Sequence, residues 1–188
     1  MQPALFDKVL FVAHPDDELL FFSRQLLDMS GWLVVCATNG GSAIRCREFL
    51  SLISELGHHH QIWNLKDSLN PCWNHARSVS KVERVLALRK EWGMIATHNA
   101  QGEYGHPQHR QLHRIVREAA SRCALYVPTD AANLCSPENE LPQEIQAKKR
   151  ELLERCYPSQ IGLVEANHEK WMRYERLVPD LSVDVIKT

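Results

Sequence analysis

The stretch KVLFVAHPDDE, residues 8–18, decides how this chain folds. Its first half is a run of β-favouring apolar residues, which predicts a buried strand over residues 8–13. The pattern of residues 19–29 predicts a helix. His14 and three carboxylates therefore lie where a strand ends and a helix begins, and in open α/β sheets that edge is where ligands bind.

The polar half of this stretch has two interpretations. An imidazole and carboxylates at close spacing suit a zinc-type cation, with one carboxylate left for acid–base work. The alternative is a polar turn whose aspartate caps the next helix. The turn alone does not decide between them, so the rest of the chain has to.

Strand and helix patterns alternate along the chain. Strands are predicted over residues 8–13, 32–38, 60–65, 94–97 and 124–127, and helices over residues 19–29, 42–56, 80–92, 106–122 and 143–156. From residue 157 onward we expect an irregular tail with one short strand. This alternation predicts an α/β fold, a three-layer Rossmann-like arrangement with a mainly parallel sheet and helices on both faces, in a single domain spanning 1–188.

The composition is that of an ordinary globular chain. Of its 188 residues, 44% are hydrophobic and 24% are charged, and the net charge is −1. This charge gives no electrostatic case for nucleic acid or an anionic membrane surface as a partner. No membrane span or secretion signal is predicted, so we expect a cytoplasmic protein. The six cysteines form no CxxC pair, which indicates reduced thiols, and the basic run at 148–150 is expected to be a solvated helix face.

A second polar group, THNAQGEYGHPQH, follows the fourth predicted strand at residues 97–109. His106 and His109 are three residues apart, a spacing that places both on one helix face. Together with His14 and Asp17, one of these histidines would complete a set of three ligands that leaves a coordination position open. That is the pattern of catalytic zinc, whereas a structural site is normally closed by four protein ligands. The alternative is a solvated helix face.

AHPDDE at residues 13–18, with GHPQH at residues 105–109, resembles the LmbE/PIG-L family of metal-dependent N-deacetylases. The resemblance extends over residues 8–128 and returns at YPSQ, residues 157–160. It implies an enzyme that removes acetyl groups from N-acetylglucosamine units carried on various aglycones. The implied partner is a small amino-sugar conjugate.

The resemblance also implies roles for individual residues. His14, Asp17 and His109 would be the zinc ligands, and Asp16 the general base that deprotonates water. His106 would stabilise the oxyanion or protonate the leaving amine. Because nitrogen and oxygen ligands suit both ions, Fe²⁺ stays open beside Zn²⁺.

Substrate contacts are expected from residues farther along the chain. Arg45 and Glu48 match a family feature near the sugar, with Arg47 as the competing arginine. Trp73, in a loop that contains proline, is the candidate for stacking on a sugar ring. Residues 39–42, NGGS, begin a helix and are a weak candidate for binding a phosphate-bearing substrate.

Three further residues are expected to support the site. Glu18 either favours the start of the helix through its dipole or orients a ligand. His98 closes the fourth predicted strand and has a supporting or structural role. Gln108 stands where the family usually has aspartate, which predicts a lower pKa for His106 unless another carboxylate such as Glu103 substitutes.

Two other functions remain open. One is a metallohydrolase of the same fold that cleaves a non-sugar N-acyl or ureido amide. The other is a non-catalytic protein that binds metal or sugar. Asp16 and His106 argue against the binding protein, which has no use for a base that is not a ligand, whereas Gln108 favours it. The sequence also leaves open the aglycone and whether the chain forms a homo-oligomer.

Overall fold

A computed structural model describes residues 5–70 and 73–181 of the chain. The strands are β1 (Lys8–Val12), β2 (Trp32–Thr38), β3 (His59–Leu65), β4 (Met94–Thr97), β5 (Tyr126–Pro128) and β6 (Leu177–Pro179). The helices are α1 (Asp17–Asp28), α2 (Ala43–Glu55), α3 (His75–Leu86), α4 (Pro107–Ala119), α5 (Gln143–Cys156), α6 (Ile161–Asn167) and α7 (Glu169–Arg173).

These strands form one sheet in the order β3-β2-β1-β4-β5-β6. Each neighbouring pair from β3 to β5 is parallel, and only β6 pairs antiparallel, with β5. The predicted α/β Rossmann-like fold with a mainly parallel sheet is confirmed.

Each face of the sheet has its own hydrophobic core. Val9 and Phe11 of β1 point to the face that α3 and α4 cover, where Ile115 is fully buried. Leu10 and Val12 point to the opposite face, where α1, α2 and α5 pack. Because both faces are covered, β1 is apolar at successive positions instead of alternating with polar residues.

The strand order determines where a site can form. From β1 the chain first builds outward to β2 and β3, and then returns to place β4 on the other side of β1. The carboxyl ends of β1 and β4 therefore flank the point at which the direction of winding reverses, which is where open α/β sheets bind ligands. Both polar groups identified in the sequence follow these two strands.

Among the predicted segments, the helix over residues 80–92 and the tail differ most from the structure. Helix α3 spans His75–Leu86 instead, and it begins at His75 because the side chain of Asn74 accepts the Arg77 N–H at 3.0 Å and caps the helix. The tail, expected to be irregular, contains α6 and α7 before the predicted short strand, β6.

Lys149 also departs from the sequence-based expectation, because it is fully buried instead of lying on a solvated face. Its Nζ donates to the carbonyl oxygens of Leu20 and Trp171, each at 2.6 Å, and lies 3.1 Å from Oε2 of Glu175. The side chain thus joins α5 to α1 and α7.

The Lys149–Glu175 ion pair also bonds to the backbone of α1 where that helix is irregular. Phe22 has non-helical angles, with φ −136° and ψ 16°. The Glu175 carboxylate accepts the Ser23 N–H at 3.1 Å and the Arg24 N–H at 2.9 Å. Arg24 N and Leu20 O would bond to each other in a regular helix, and here the acid and the lysine replace that bond.

Some sequence-based expectations concern the chain as a whole. The five cysteines in the described residues are free, and Cys72 lies outside them. No helix in the described part of the chain is long and apolar enough to cross a membrane. That residues 1–188 form one domain stays a prediction, because residues 1–4, 71–72 and 182–188 are outside the described residues.

Candidate metal centre and active site

The turn after β1 separates the two aspartates. Asp16 has φ 110°, a left-handed conformation that is strained for a residue with a side chain. Asp17 Oδ2 accepts the N–H of His14 at 2.8 Å, whereas Asp16 Oδ2 lies 3.2 Å from Nη2 of Arg45. Asp16 precedes α1 but makes no capping hydrogen bond with its side chain. The turn thus aims one carboxylate at the histidines and the other at an arginine.

Glu18 holds this turn through buried hydrogen bonds. It is fully buried, its Oε2 accepts the N–H of Asp16 at 3.2 Å, and its Oε1 accepts the hydroxyl of Tyr157. Burial raises the pKa of Glu18 to about 8. Glu18 therefore holds the backbone of Asp16, and it contacts no side chain of the three expected ligands.

The loop after β4 is organised around Glu103, which the sequence suggested only as a substitute carboxylate. Glu103 is buried, and its Oε2 accepts from Nδ1 of His109 at 2.6 Å and from Nδ1 of His98 at 3.0 Å. Its Oε1 accepts the Asn99 N–H at 2.9 Å. Burial opposes its ionisation, but the His98 and His109 rings lower the pKa of Glu103 to about 2. With the proton of His109 on Nδ1, its Nε2 is free to bind a metal.

The three expected ligand residues, His14, Asp17 and His109, form a ligand triangle in which each side chain approaches the other two to 3.3 Å. Nδ1 of His14 lies 3.3 Å from Oδ2 of Asp17 and 3.3 Å from Nε2 of His109. Nε2 of His109 lies 3.3 Å from Oδ1 of Asp17. Tetrahedral zinc ligands at roughly 2.0–2.1 Å from the ion stand about 3.3 Å apart. The donor types and the pairwise distances therefore suit a zinc-type ion, with Asp17 presenting Oδ2 to His14 and Oδ1 to His109.

His98 lies close enough to compete as a ligand but is already engaged. Asp17, His98 and His109 also bring three donor atoms within 4.8 Å of one another. However, Nε2 of His98 accepts the N–H of Ala13 at 3.0 Å. Because that bond uses the lone pair, His98 supports β1 and Glu103 and does not offer a nitrogen to a metal.

A cavity lies beside the triangle, and His106 lines it. Its ring centroid lies 4.7 Å from that of His14, and its Nδ1 is buried without a hydrogen-bond partner. Burial and the His109 and His14 rings lower the pKa of His106 to about 4. At neutral pH this ring is uncharged and has an N–H to donate.

Gln108 contacts a different histidine from the one expected. Its Oε1 accepts from Nε2 of His14 at 2.9 Å and from the N–H of Ser68 at 3.2 Å, and its Nε2 donates to the Lys66 carbonyl at 2.8 Å. The pKa of His106 is lower, as expected, but through burial and the neighbouring histidines, whereas the amide of Gln108 orients His14. An aspartate would be shorter and would lack the donor for Lys66 O.

Arg45, and not the exposed Arg47, reaches the cavity. Its Nη1 donates to Glu48 at 2.9 Å, and its Nη2 faces Asp16. Glu48 is 5% exposed and also accepts from the N–H and the hydroxyl of Ser159, at 2.9 and 2.8 Å. Glu48 thus holds Arg45 and the following turn in place, which corrects the expectation that it contacts substrate.

Trp73 is not placed to stack on a sugar. Its side chain is buried in the core of the α3–α4 face with Leu112, and its Nε1 donates to Lys66 O at 2.8 Å. The aromatic residue that lines the cavity is Tyr104, which is 43% exposed. The signal for Tyr104 was its position in the loop after β4, between two glycines of the second polar group.

A cavity of about 330 Å³ lies above the triangle, within the lower range of small-molecule sites. Its floor contains His14, Asp16 and Asp17. One wall comes from the segment after α5, through the side chains of Gln160, Leu163 and His168. Of these three, only Gln160 was signalled in the sequence, by the YPSQ stretch.

The fold and the site together define a class: an α/β protein with a candidate single-metal centre at the carboxyl edge of a parallel sheet and a free carboxylate beside it. The chain belongs to the PIG-L family, whose model, described as GlcNAc-PI de-N-acetylase, matches residues 9–120. The resemblance found in the sequence is thereby confirmed.

Two curated proteins are similar to the chain. An uncharacterised protein of Acanthamoeba polyphaga mimivirus is 30% identical over 182 residues, which span 87% of this chain and 76% of the relative. A 1D-myo-inositol 2-acetamido-2-deoxy-alpha-D-glucopyranoside deacetylase of Corynebacterium jeikeium is 46% identical, but over 41 residues that span 22% of this chain and 12% of that protein.

Solved structures share the fold at low sequence identity. A deacetylase of the teicoplanin biosynthetic pathway has a TM-score of 0.67 at 17% identity, covering 88% of this chain and 87% of its own. The N,N'-diacetylchitobiose deacetylase of Pyrococcus horikoshii has a TM-score of 0.56 at 15% identity, covering 96% and 89%. A 4-carboxy-2-hydroxymuconate hydratase of Pseudomonas putida has a TM-score of 0.64 at 16% identity, covering 85% and 82%. Since a hydratase shares the fold, the activity has to be argued from the site.

Proposed function

We propose that this chain is a metal-dependent N-deacetylase that hydrolyses the N-acetyl group of an N-acetylglucosamine-type conjugate. One observation carries the proposal: the ligand triangle leaves a coordination position open, and the Asp16 carboxylate lines the same cavity without belonging to the triangle. A binding protein has no need for that second carboxylate. The names of the family and of the deacetylase relative support the substrate class.

His14, Asp17 and His109 would hold the metal, and their partners favour binding. Nε2 of His14 donates to Gln108, and Nδ1 of His109 donates to Glu103, so the nitrogens that face the triangle would offer lone pairs to a metal that replaces their mutual hydrogen bond. A bound Zn²⁺ ion, or Fe²⁺ with the same donors, supplies Lewis acidity that activates water and polarises the acetyl carbonyl.

Asp16 takes the proton from the attacking water. Burial, followed by the charge of Asp17, raises its pKa to about 7, although Arg45 acts in the opposite direction. A base with a pKa near the working pH is efficient in both of its roles, accepting the proton and later returning it. Arg45 keeps the carboxylate turned toward the cavity and away from the ligand positions.

His106 stabilises the negative charge that develops on the acetyl oxygen. Its uncharged ring has no carboxylate partner on its buried Nδ1, so it serves as a hydrogen-bond donor and not as an acid. When the C–N bond breaks, the proton held by Asp16 passes to the sugar nitrogen. The products are acetate and a free amine.

The test combines a base-deficient variant with a substrate panel. In Asp16→Asn the amide keeps the shape of the side chain but cannot accept the proton, so turnover should fall by about 10²–10⁴-fold. Metal content should remain unchanged, because Asp16 is not in the triangle. The measurements are release of free amine from N-acetylated sugars and metal analysis of the same protein.

Each contrary result has a separate meaning. Full activity of Asp16→Asn would contradict the role of the base. Amine release from non-sugar N-acyl or ureido amides alone would identify the metallohydrolase alternative. No release from any substrate at full metal occupancy would sink the proposed activity and leave the binding protein.

A further inference from the structure

An acidic side chain stands at the rim of the candidate cavity. Asp67 follows β3 by two residues, lines the cavity, and has a side chain that is 52% exposed. Asn39 Nδ2 donates to its Oδ2 at 3.1 Å, and its Oδ1 lies 3.5 Å from Nε2 of His14. These two contacts keep the carboxylate at the mouth, next to the position of the reacting group.

The cation in the cavity is already neutralised. Among the described residues that line the cavity, Arg45 is the one arginine, and there is no lysine. Its guanidinium contacts Glu48 at 2.9 Å and Asp16 at 3.2 Å, and it donates to the carbonyl of Pro15. Glu48 and Asp16 offset its charge, and Asp17 and Asp16 in turn lie beside the metal that the ligand triangle would hold.

The loop of residues 39–42 before α2, a weak candidate for phosphate binding, has the backbone N–H groups of residues 40–42 already in use. The N–H of Gly40 donates to the carbonyl of Trp63 at 2.9 Å, and that of Gly41 donates to the side chain of Asn64 at 2.9 Å. The N–H of Ser42 bonds within its own turn. A helix N-terminus binds phosphate through free N–H groups, and these three are used.

We propose that the natural substrate is uncharged or positively charged next to the N-acetylated ring, and that Asp67 determines this preference. The inference rests on the proposed deacetylase function and narrows its substrate class. The Asp67 carboxylate accepts hydrogen bonds from sugar hydroxyls or from the ammonium group of a neighbouring amino sugar. It repels a phosphate or carboxylate placed at the same position.

The test measures binding separately from turnover. The metal-loaded His106→Phe chain, whose turnover should be impaired while the pair of Asp16 with Arg45 stays intact, is titrated by calorimetry with N-acetylglucosamine, N,N'-diacetylchitobiose, its mono-deacetylated form with one free ammonium group, and N-acetylglucosamine 1-phosphate. At a few ångströms near a protein surface one charge pair is worth roughly a factor of ten or more. We therefore expect the phosphate to bind about tenfold more weakly than N-acetylglucosamine, and the ammonium-bearing disaccharide to bind at least as tightly as the neutral one.

A second substitution assigns the effect to Asp67. Asp67→Asn, placed in the same background, should bring the phosphate and its neutral parent to within about twofold of each other, since the amide keeps the contacts but not the charge. Glu151→Gln, which removes an exposed carboxylate on α5, is the matched control and should leave the ratio unchanged.

The outcomes separate this inference from the proposed function. Phosphate binding equal to or tighter than that of the parent sugar would overturn the inference, as would binding of none of the four sugars. An unchanged ratio in Asp67→Asn would overturn the role of that residue. Failure of the unsubstituted chain to release amine, with the expected order of binding intact, would refute the deacetylase and leave the charge preference standing.

Discussion

Two buried polar clusters flank helix α1, and they differ in what they leave unused. The cluster around Lys149 and Glu175 joins α1, α5 and α7, and its lysine donates to two carbonyls and the carboxylate. The cluster around Asp17, His109 and Glu103 lies at the start of the same helix, and its ligand triangle borders a cavity.

The comparison shows that buried charge does not by itself mark a functional site. Both clusters contain ionised groups that burial would disfavour if they stood alone. In the cluster around Lys149 and Glu175, the charged groups bond to the backbone of α1 and of its neighbours. In the second, Glu103 and Gln108 bind the outer nitrogens of two imidazoles, so the inner nitrogens, which lie 3.3 Å from each other, are the ones that a metal could bind.

The largest effect is expected from breaking the first cluster. Lys149→Met leaves the Leu20 and Trp171 carbonyls without their donor and Glu175 without its cation, so the free energy of unfolding should fall by about 3–5 kcal/mol. Urea denaturation checks the value. Lys148→Met is the matched control, since that side chain is exposed and pairs only with Glu151.

A difference of less than about 1 kcal/mol between these two variants would contradict the structural role of Lys149. In the folded fraction of the Lys149→Met protein, metal content should match that of the unsubstituted chain, because the pair touches none of the three ligands.

A smaller effect, on metal affinity and not on folding, is expected from the second cluster. Glu103→Gln keeps the shape of the side chain but removes the carboxylate that orients His109, so zinc should bind about 10–100-fold more weakly. Competition with a chelating dye measures the affinity. The control is Glu118→Gln, which changes an exposed glutamate bonded to His75 at 2.7 Å.

Equal zinc affinity in the Glu103→Gln and Glu118→Gln proteins would show that the carboxylate does not tune the ligand. A general loss of folding in the Glu103→Gln protein, seen in its circular dichroism spectrum, would assign Glu103 to the first kind of cluster and not to the second.

The smallest effect is expected at Gln108, which supports the metal site through His14 and the fold through the Lys66 carbonyl. Gln108→Glu would give His14 a carboxylate partner and strengthen zinc binding, but Lys66 O would lose its donor, at a cost of about 1 kcal/mol in unfolding free energy. Chelator competition and urea denaturation on one preparation measure both quantities. Weaker zinc binding without loss of stability would contradict both expected effects of Gln108→Glu.

The sequence predicts the parts of the fold that depend on neighbouring residues. The predicted bounds of β2, β4 and α5 agree with the structure because apolar runs and helical periodicity depend on neighbouring residues. The tail was not accessible in this way. Its short helices α6 and α7 are stabilised by packing on distant parts of the chain, and seven or five residues give little periodic signal.

The site shows the same division. The two motifs placed His14, Asp17 and His109 near each other, because the carboxyl ends of neighbouring parallel strands meet at one edge. The roles of Glu48 and Trp73 were misjudged, since their partners Ser159 and Lys66 are brought to them only by the tertiary structure. Sequence spacing says which groups approach the edge but not which way each side chain turns.

The wall formed by Gln160, Leu163 and His168 makes the cavity a composite of two parts of the chain. The ligand triangle lies within residues 9–120, which match the family model, and the wall lies beyond them. The two parts are joined at the site itself, because Tyr157 donates to Glu18 and Ser159 donates to Glu48. A segment transferred from another member could therefore change the wall only if it kept these two hydroxyl groups.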